Sequence, residues 1–362
     1  MQRVAKLFGM VCLTAIISAC SSGLQPSQQS AQRFFWPPLP DRPRIEWLKQ
    51  YRSDLDIEKT GWQLFKESLI GEDRPVALSK PVEVKIDSAR KRLFVSDVGR
   101  AAVYVFDEVQ HEMRTLKGSD PEISYPLNIA FDSAGSIHVL DRRAQAILVF
   151  DKDEHFIRSI NLAAITTKPL AMTIDVQNNH VLVSDGHEHS IHVLTMEGKK
   201  LFSFGGVGDA PGFFNMPISL ATNTSGAIIV ADAFNARIQI FDKQGIFKNT
   251  FGIRGDGPGE FQLIKSVALD SDNNIYVVDS KSHTIKIFNF GGDLLLELGG
   301  FYMISGGGKM SQGGFAVPVA IDIDSNDMMA VADQLNSRVQ IFRYLSDAYF
   351  REYPVPGYVK PR

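Results

Sequence analysis

The chain has 362 residues, 44% hydrophobic and 22% charged, enough to bury one large repeat domain or two ordinary domains. Its formal net charge of −3 lacks the basic excess of nucleic-acid-binding proteins, so nucleic acid is not expected as a partner. The 29 glycines and the aromatic content of 10% are typical of many short strands joined by tight turns. The composition therefore favours an all-β protein.

Residues 1–19 have the features of an export signal. Arg3 and Lys6 precede an apolar run over residues 7–17, which is too short to span a membrane comfortably as a mature helix. The ending Ile-Ser-Ala-Cys, over residues 17–20, resembles a bacterial lipobox. The resemblance implies cleavage before Cys20 and lipidation of its sulfur, and several acyl chains give stable anchoring. An ordinary signal peptide with an incidental cysteine is the alternative.

The two cysteines limit the chemistry of the mature chain. Cys12 lies in the segment to be removed and Cys20 would be modified, so neither a disulfide nor cysteine catalysis is expected. Ser21 follows the lipidation site, whereas an Asp there favours inner-membrane retention in Gram-negative lipoproteins. The resemblance thus implies an exported protein anchored in the cell envelope, at the outer membrane. Periplasmic and surface-exposed placement both stay open, as does the oligomeric state.

Residues 20–43 are polar and then Pro-rich, which predicts a lipidated tether. Phe34, Phe35 and Trp36 interrupt it with an apolar cluster that suits either docking on the folded domain or contact with lipid headgroups. Docking is the favoured interpretation.

Residues 44–80 are expected to hold a strand, at 44–52, and a short amphipathic helix, at 60–70. Thr60 is the candidate N-cap and Gly71 the stop signal. The helix has one apolar face, formed by Trp62, Leu64, Phe65, Leu69 and Ile70. Packing of this face on one end of the domain is favoured over membrane binding, because the polar face carries little positive charge.

From residue 81 onward the sequence is a sixfold repeat, most clearly in the copy at 217–251. A second apolar strand in each copy ends in an aspartate, and the third strand ends nine residues later in Phe or Leu. These aspartates are Asp97, Asp141, Asp185, Asp232, Asp279 and Asp333. The copies start near 81, 126, 169, 217, 264 and 318. Length varies only after the third strand, as expected if each copy is a rigid sheet.

Each copy has room for four short strands and for no helix, which predicts a six-bladed β-propeller of four-stranded antiparallel blades over residues 81–355. Residues 356–362 form a tail. A solenoid is the alternative, but it needs caps at both ends that the sequence does not offer. Either residues 44–52 or residues 348–353 close the ring. The C-terminal segment is favoured, because it follows Phe342 as the other fourth strands follow their third strands.

The copy that starts at Pro217 resembles the NHL repeat through Asp232, the run 235–241 and Phe251-Gly252. The copy at 318–342 keeps Asp333, Asn336, Arg338 and Phe342, whereas the other four lack the arginine. The resemblance implies six blades, each starting with its innermost strand.

In such a ring, the loops between second and third strands share one face with the inter-blade loops, and this face is the default binding surface. Its candidate residues are Arg142, Arg143, His187, His189, Phe234, Asn235 and His283. Solvated turn residues are the simpler interpretation of many of them. The six repeat aspartates are expected to be structural, because aspartates at strand ends accept hydrogen bonds from turn N–H groups.

The sequence favours a membrane-anchored binding or scaffold module for a protein or an envelope polymer, with no catalytic residues and no cofactor. The alternative is a metal-dependent hydrolase or amidating-lyase-like propeller enzyme with its site at the central channel. Lactonase-like propellers draw oxygen ligands for a hard cation from their inner strands. Among the residues two places past each strand start, only Glu83 and Asn128 suit that role, so no metal site is predicted.

Overall fold

A computed structural model describes residues 33–70, 75–304 and 311–358. The export signal, Cys20 and most of the tether lie outside the described residues. The described chain begins with strands β1 (Phe34–Trp36) and β2 (Ile45–Tyr51), a 3-10 turn (Asp54–Asp56) and helix α1 (Gly61–Ile70). Neither this helix nor any other in the described ranges is long and apolar enough to cross a membrane.

Six antiparallel sheets follow in chain order, and each is one blade. Blade 1 consists of β3 (Pro81–Asp87), β4 (Arg92–Asp97), β5 (Ala102–Asp107) and β6 (Glu112–Thr115). Blade 2 consists of β7 (Pro126–Phe131), β8 (Ile137–Asp141), β9 (Ala146–Phe150) and β10 (Phe156–Asn161). Blade 3 consists of β11 (Pro169–Asp175), β12 (His180–Asp185), β13 (Ser190–Thr195) and β14 (Lys200–Gly205).

The second half of the ring repeats this arrangement. Blade 4 consists of β15 (Pro217–Thr222), β16 (Ile228–Asp232), β17 (Arg237–Phe241) and β18 (Phe247–Phe251). Blade 5 consists of β19 (Ile264–Leu269), β20 (Ile275–Asp279), β21 (Thr284–Phe288) and β22 (Leu294–Gly299). Blade 6 takes β23 (Pro318–Ile323), β24 (Met328–Asp333) and β25 (Arg338–Tyr344) from the C-terminal part of the chain. Two 3-10 turns (Ala233–Asn235 and Gln334–Asn336) connect β16 to β17 and β24 to β25.

The first strand of each blade lies innermost, and these strands contact one another around the ring, from β3 through β23 and back to β3. Each seam between blades is filled by apolar side chains of both sheets. The third-strand ends that the repeat identified, including Phe106, Phe241 and Phe342, are fully buried in these seams. The predicted six-bladed propeller of four-stranded antiparallel blades is therefore confirmed.

The prediction that residues 348–353 close the ring is wrong. β25 pairs with β2, and β2 pairs with β1, so the N-terminal segment supplies the outer strands of blade 6. The C-terminal segment instead forms helix α2 (Asp347–Glu352), whose N-cap Ser346 accepts a hydrogen bond from the N–H of Tyr349. β2 suits the edge of blade 6 because Ile45 is buried there and Trp47 donates its indole N–H to Gln340 at 3.1 Å.

The apolar cluster of the tether docks on this blade. Trp36 packs edge-on against Phe342 with 6.0 Å between ring centroids, and Phe34 packs against Trp47 at 6.1 Å. The propeller thus includes β1 and β2, which precede residue 81.

Helix α1 has the predicted bounds and a capping box, in which Gln63 and Thr60 exchange hydrogen bonds. The predicted packing of its apolar face is wrong, because Trp62, Leu64, Phe65 and Leu69 are all more than half exposed. Gln63, on the polar side of α1, connects the helix to blade 1, because its amide donates to the carbonyl of His111 at 2.9 Å.

Candidate functional site: the upper face and the central channel

The connections between strands define two faces of the ring. We call the face with the second-to-third-strand turns and the inter-blade loops the upper face. The lower face carries the first-to-second-strand and third-to-fourth-strand turns.

On the upper face, the repeat aspartates hold the loops in place. Asp141, fully buried, accepts hydrogen bonds from the N–H groups of Ser124, Tyr125 and Arg143 at 2.6–2.9 Å. Asp279 binds the N–H groups of the loop before its blade at 2.8 Å in the same way. These contacts are the architectural ones that the repeat predicts.

The two repeat arginines clamp inter-blade loops. Arg338 is fully buried, donates to Asp333 at 2.8 Å and reaches the carbonyl of Gly314 at 2.6 Å. Arg237 donates to Asp232 at 2.8 Å and to the carbonyl of Asp209 at 2.6 Å. Both guanidinium groups therefore serve the fold rather than a ligand.

Three of the predicted binding residues also form hydrogen bonds within the protein. Nδ1 of His189 accepts the N–H of Met216 at 2.9 Å, and Nδ1 of His283 accepts the N–H of Val317 at 3.0 Å. The side chain of Asn235 donates to the carbonyl of Gly208 and to Asp232. His189 and His283 occupy equivalent left-handed turn positions, with φ of 52° and 61°, and each ties its blade to the following loop.

The other predicted residues face solvent on the upper face. Arg142, Arg143 and His187 are exposed, and neither arginine has an ion-pair partner among the described residues. Arg100 lies at the equivalent turn of blade 1 and is also exposed without such a partner. The upper face of blades 1 and 2 therefore carries three arginines without ion pairs to described residues, along with the exposed carboxylates of Asp120 and Glu122.

Blades 4 to 6 give the upper face a different character. Seven apolar side chains here are between 46% and 70% exposed, and we call them the apolar patch: Val207, Phe213, Phe234, Ile253, Phe301, Met303 and Leu335. Phe234 and Leu335 lie in second-to-third-strand turns, and the other five lie in inter-blade loops. Phe234 is the member of the patch that is also a predicted binding residue, and the aromatic residues Phe213 and Phe301 of the inter-blade loops are the sequence signal for the same face.

Local contacts brace the segments that carry the apolar patch, in two groups. The turn of Phe234 is bound to the loop 206–216 through Asn235 and to the loop 252–261 through Arg254, which donates to the carbonyl of Phe234 at 2.8 Å. The ring of Phe301 packs on His283 with 4.8 Å between centroids, and Asn336 binds the carbonyl of Tyr302 at 2.8 Å. The patch therefore lies on braced loops.

One group in the described chain brings together three residues that could hold a metal ion, namely Asp185, Glu188 and His192. Burial lowers the pKa of His192, although the Asp185 carboxylate 3.5 Å away opposes this shift. In other blades, the position of His192 is taken by Gln239, Lys286 and Gln340, which bind the carbonyls of inter-blade loops. His192 thus occupies a structural position of the repeat, and the cluster by itself does not indicate a metal site.

The central channel opens on the lower face, opposite to the predicted binding surface. Its cavity of about 630 Å³ is lined by the first strands and by the turns that follow them. One layer of the wall contains Glu83, Asn128, Ser219 and Ser266. The next layer contains Lys85, Ala130, Thr173, Ala221, Ala268 and Asp322.

Side chains of the first strands connect every blade to its neighbour. Asn128 bridges blades 1 to 3, because its amide donates to Glu83 and its oxygen accepts the N–H of Met172. The remaining links are Thr222 to Ile174, Ser219 to Val267, Ser266 to Ile321, and Asp322 to Ile86 and Lys85. The polar residues of the channel therefore help to close the ring.

The pKa of Glu83 is raised to about 8, mainly by burial and in part by Asp322, against the opposing effects of Val84, Lys85 and Asn128. Glu83 is thus largely protonated at pH 7, and the oxygen of Asn128 is already occupied by Met172. Glu83 and Asn128 are also only two ligands, whereas a hard cation such as Ca²⁺ takes about six to eight oxygen ligands, so they do not form a cation site by themselves.

A second series of aspartate and asparagine residues, not recognised in the sequence, caps the turns of the lower face. Each residue follows its strand start by six positions: Asp87, Asp132, Asp175, Asn223, Asp270 and Asp324. Asp270, for example, accepts the N–H groups of Asp272 and Asn274 at 2.8–2.9 Å. Burial raises its pKa to about 6.

The comparisons with known proteins agree with this fold. A family model described as DUF5128, 6-bladed beta-propeller, matches residues 215–298. No curated protein gives a significant match. A protein of unknown function from Bacteroides thetaiotaomicron is 13% identical, with a TM-score of 0.56 and coverage of 74% of this chain and 70% of the other.

Two further solved structures are similar at 11% identity. Virginiamycin B lyase from Staphylococcus aureus has a TM-score of 0.51, covering 73% of this chain and 95% of the other. The Cps50 (Swd1) propeller domain from Myceliophteria thermophila has a TM-score of 0.53, covering 74% and 97%. At these identities the likeness establishes the propeller fold alone.

Proposed function

We propose that this six-bladed propeller is an NHL-type envelope lipoprotein that binds a partner protein through its upper face and catalyses no reaction. The apolar patch carries the proposal. Large exposed apolar clusters on soluble domains mark sites of interaction, because leaving them in water is unfavourable. A protein surface is the occupant that matches such side chains, since protein interfaces are enriched in Phe and Met.

The charges of the upper face suggest the character of the partner. The blades 1 and 2 part of the upper face adds three arginines without ion-pair partners among the described residues, namely Arg100, Arg142 and Arg143. A partner with an apolar centre and acidic residues on one side would complement both parts. The charges would contribute to association rate and orientation more than to affinity.

The lipid anchor at Cys20 is the second part of the proposal. It is supported by the lipobox resemblance and by the exposed apolar side of α1, with Trp62, Phe65 and Leu69. The helix adjoins the turn between β5 and β6 on the lower face, where its N-terminal turn is tied to His111. Contact of α1 with the membrane would place the lower face toward the lipid and leave the upper face available.

The alternative function, an enzyme with its site in the central channel, has less support than partner binding. A metal-dependent mechanism needs more oxygen ligands than Glu83 and Asn128 supply, and both residues already form hydrogen bonds between blades. The likeness to virginiamycin B lyase concerns the fold and assigns no residue of this chain a catalytic role.

The anchor and the binding face can be tested separately. Cys20→Ala is expected to release the protein from the membrane fraction, and its continued presence there after a carbonate wash would refute the anchor. To test the binding face, the recovery of partner proteins from cross-linked cells is compared between Phe234→Glu and Ile246→Glu. Ile246 is the matched control, because it is equally exposed but lies in the lower-face turn between β17 and β18.

Phe234→Glu is expected to abolish the recovery of a defined partner that the wild type and Ile246→Glu both retain. Equal recovery of the same partner by all three proteins would refute the proposed face.

A further inference from the structure

The wall of the central channel contains hydrogen-bond donors that the protein itself does not use. The channel belongs to a different part of the molecule from the apolar patch, and it opens on the opposite face. Its volume of about 630 Å³ lies within the range of roughly 300–1,000 Å³ that is common for small-molecule pockets. The polar groups of the wall therefore determine what kind of ligand the channel would hold.

The first unused donor belongs to Glu83. The N–H of Met172 requires an acceptor, so the oxygen of the Asn128 amide faces Met172 and its nitrogen faces Glu83. Glu83 consequently accepts from Asn128 through Oε2 and from the N–H of Val84 through Oε1, at 3.1 Å. In the protonated carboxyl group, both oxygen atoms accept a hydrogen bond in this way. The O–H group itself has no acceptor among the described residues.

Two serines of the same layer also have a hydroxyl donor that the protein does not use. Oγ of Ser219 accepts the N–H of Val267 at 3.1 Å, and Oγ of Ser266 accepts the N–H of Ile321 at 3.3 Å. In each case the hydroxyl hydrogen has no acceptor within the described ranges. Both side chains line the channel, as does Thr173, whose hydroxyl group forms no hydrogen bond with the described residues.

The charges of the channel exclude other ligand classes. The charges of Lys85 and Asp322 cancel in an ion pair of 2.5 Å, so the wall has no excess charge at this level. Asp270 and Asp324 line the side of the cavity toward the lower face, and carboxylates there disfavour the entry of an anion. A cation would find no ionised carboxylate without a partner at this level, because Glu83 is protonated and Asp322 is paired with Lys85.

We propose that the central channel binds a small, neutral, polyhydroxylated compound, whose oxygen atoms accept hydrogen bonds from Glu83, Ser219 and Ser266. Hydroxyl groups suit this wall because each can accept from one of these donors and donate to another oxygen, such as the hydroxyl of Thr173. The small side chains of Ala130, Ala221 and Ala268 leave room for the ligand in the neighbouring layer.

Binding of such a ligand depends on the proton of Glu83. The charged groups that face Glu83 are Lys85, on its own strand, and Asp322, from blade 6. Because the pKa of Glu83 is raised to about 8, the affinity should be constant near pH 6 to 7. It should fall about tenfold for each pH unit above about 8.

The test is isothermal titration calorimetry of the full-length protein with glycerol, myo-inositol and D-glucose as probes, at pH 6.5 and 9. At least one probe is expected to bind in the millimolar range or better at pH 6.5, and roughly tenfold more weakly at pH 9. Ser219→Ala and Ser266→Ala should each weaken binding about fivefold, the worth of one hydrogen bond. Ser203→Ala, at an exposed position of the outer strand of blade 3, should leave it unchanged.

Glu83→Gln separates a ligand contact from a purely structural role. The amide keeps an N–H donor at every pH, so binding at pH 6.5 should persist and the loss at pH 9 should disappear. Glu83→Ala should lose binding, with folding checked by circular dichroism. The proposal is overturned if no probe binds at 10 mM, or if Glu83→Gln retains the wild-type pH dependence.

Discussion

Replacement of Glu83 by Gln should change the way in which stability depends on pH. The pKa of Glu83 is about 8 in the folded protein, against an ordinary value of 4.5, because the carboxyl group is buried beside the channel. Below pH 4.5 the group is protonated in both states and has no effect. Between pH 4.5 and 8 the unfolded chain releases the proton while the folded protein keeps it, so the free energy of unfolding falls as the pH rises.

The size of this effect follows from the two pKa values. A difference of about 3.5 corresponds to an upper limit of about 5 kcal/mol, at roughly 1.4 kcal/mol per pH unit. Water in the channel screens the charge and reduces the total, so we expect a loss of about 3–5 kcal/mol between pH 4.5 and 8. Gln removes the titrating group at the cost of one accepted hydrogen bond, a constant offset of about 1 kcal/mol.

The assay is urea unfolding of the wild type and Glu83→Gln at half-unit steps from pH 5 to 9, followed by circular dichroism. Subtracting the two curves removes the contributions of other groups, such as Asp270 and His138, whose pKa values are also shifted. The variant should gain stability relative to the wild type up to about pH 8, and the gain should then level off. Glu58→Gln, at an exposed position, is the control. Two parallel curves for the wild type and Glu83→Gln would refute the raised pKa.

Two further predictions concern the closing blade and the helix. In the same urea assay, Arg338→Met should destabilise the protein by about 3–5 kcal/mol, because it leaves the buried Asp333 without its ion-pair partner. The control is Arg100→Met, at an exposed position without an ion pair to a described residue, which should change stability by less than about 0.5 kcal/mol. Vesicles of phosphatidylethanolamine and phosphatidylglycerol should shift the fluorescence of the Cys20→Ala protein to the blue through Trp62, and Trp62→Phe should abolish the shift. Equal destabilisation by both arginine variants, or an unchanged spectrum with vesicles, would contradict these two expectations.

The architecture was accessible from the sequence because the repeat encodes it locally. Asp232 and Phe241 are nine residues apart in one blade, and the same spacing recurs in every blade. The second series, with Asp270 as an example, recurs just as regularly but was not recognised. Its turns are on the lower face, away from the inter-blade loops of the predicted binding surface.

Other features depend on contacts between distant parts of the chain. The choice of β2 over residues 348–353 for ring closure rests on the fit of Ile45 and Trp47 against β25, which no local pattern encodes. The exposure of Trp62 could not be predicted, because an amphipathic pattern does not say what covers the apolar face. The role of Glu83 could not be predicted either, because it depends on how neighbouring blades align, and this alignment places the Asn128 amide against the Glu83 carboxyl group.

Partner binding by the upper face is most directly tested by site-specific photo-cross-linking in the native envelope. A photoreactive amino acid is placed in turn at Phe234, Ile253 and Leu335 on the upper face, and at Ile246 and Val176 on the lower face. All five side chains are at least 46% exposed, so accessibility does not separate the two groups. We predict one common protein adduct from the three upper positions and none of that mass from the two lower positions. The same adduct from both faces, or no protein adduct from the upper face, would contradict the proposed function.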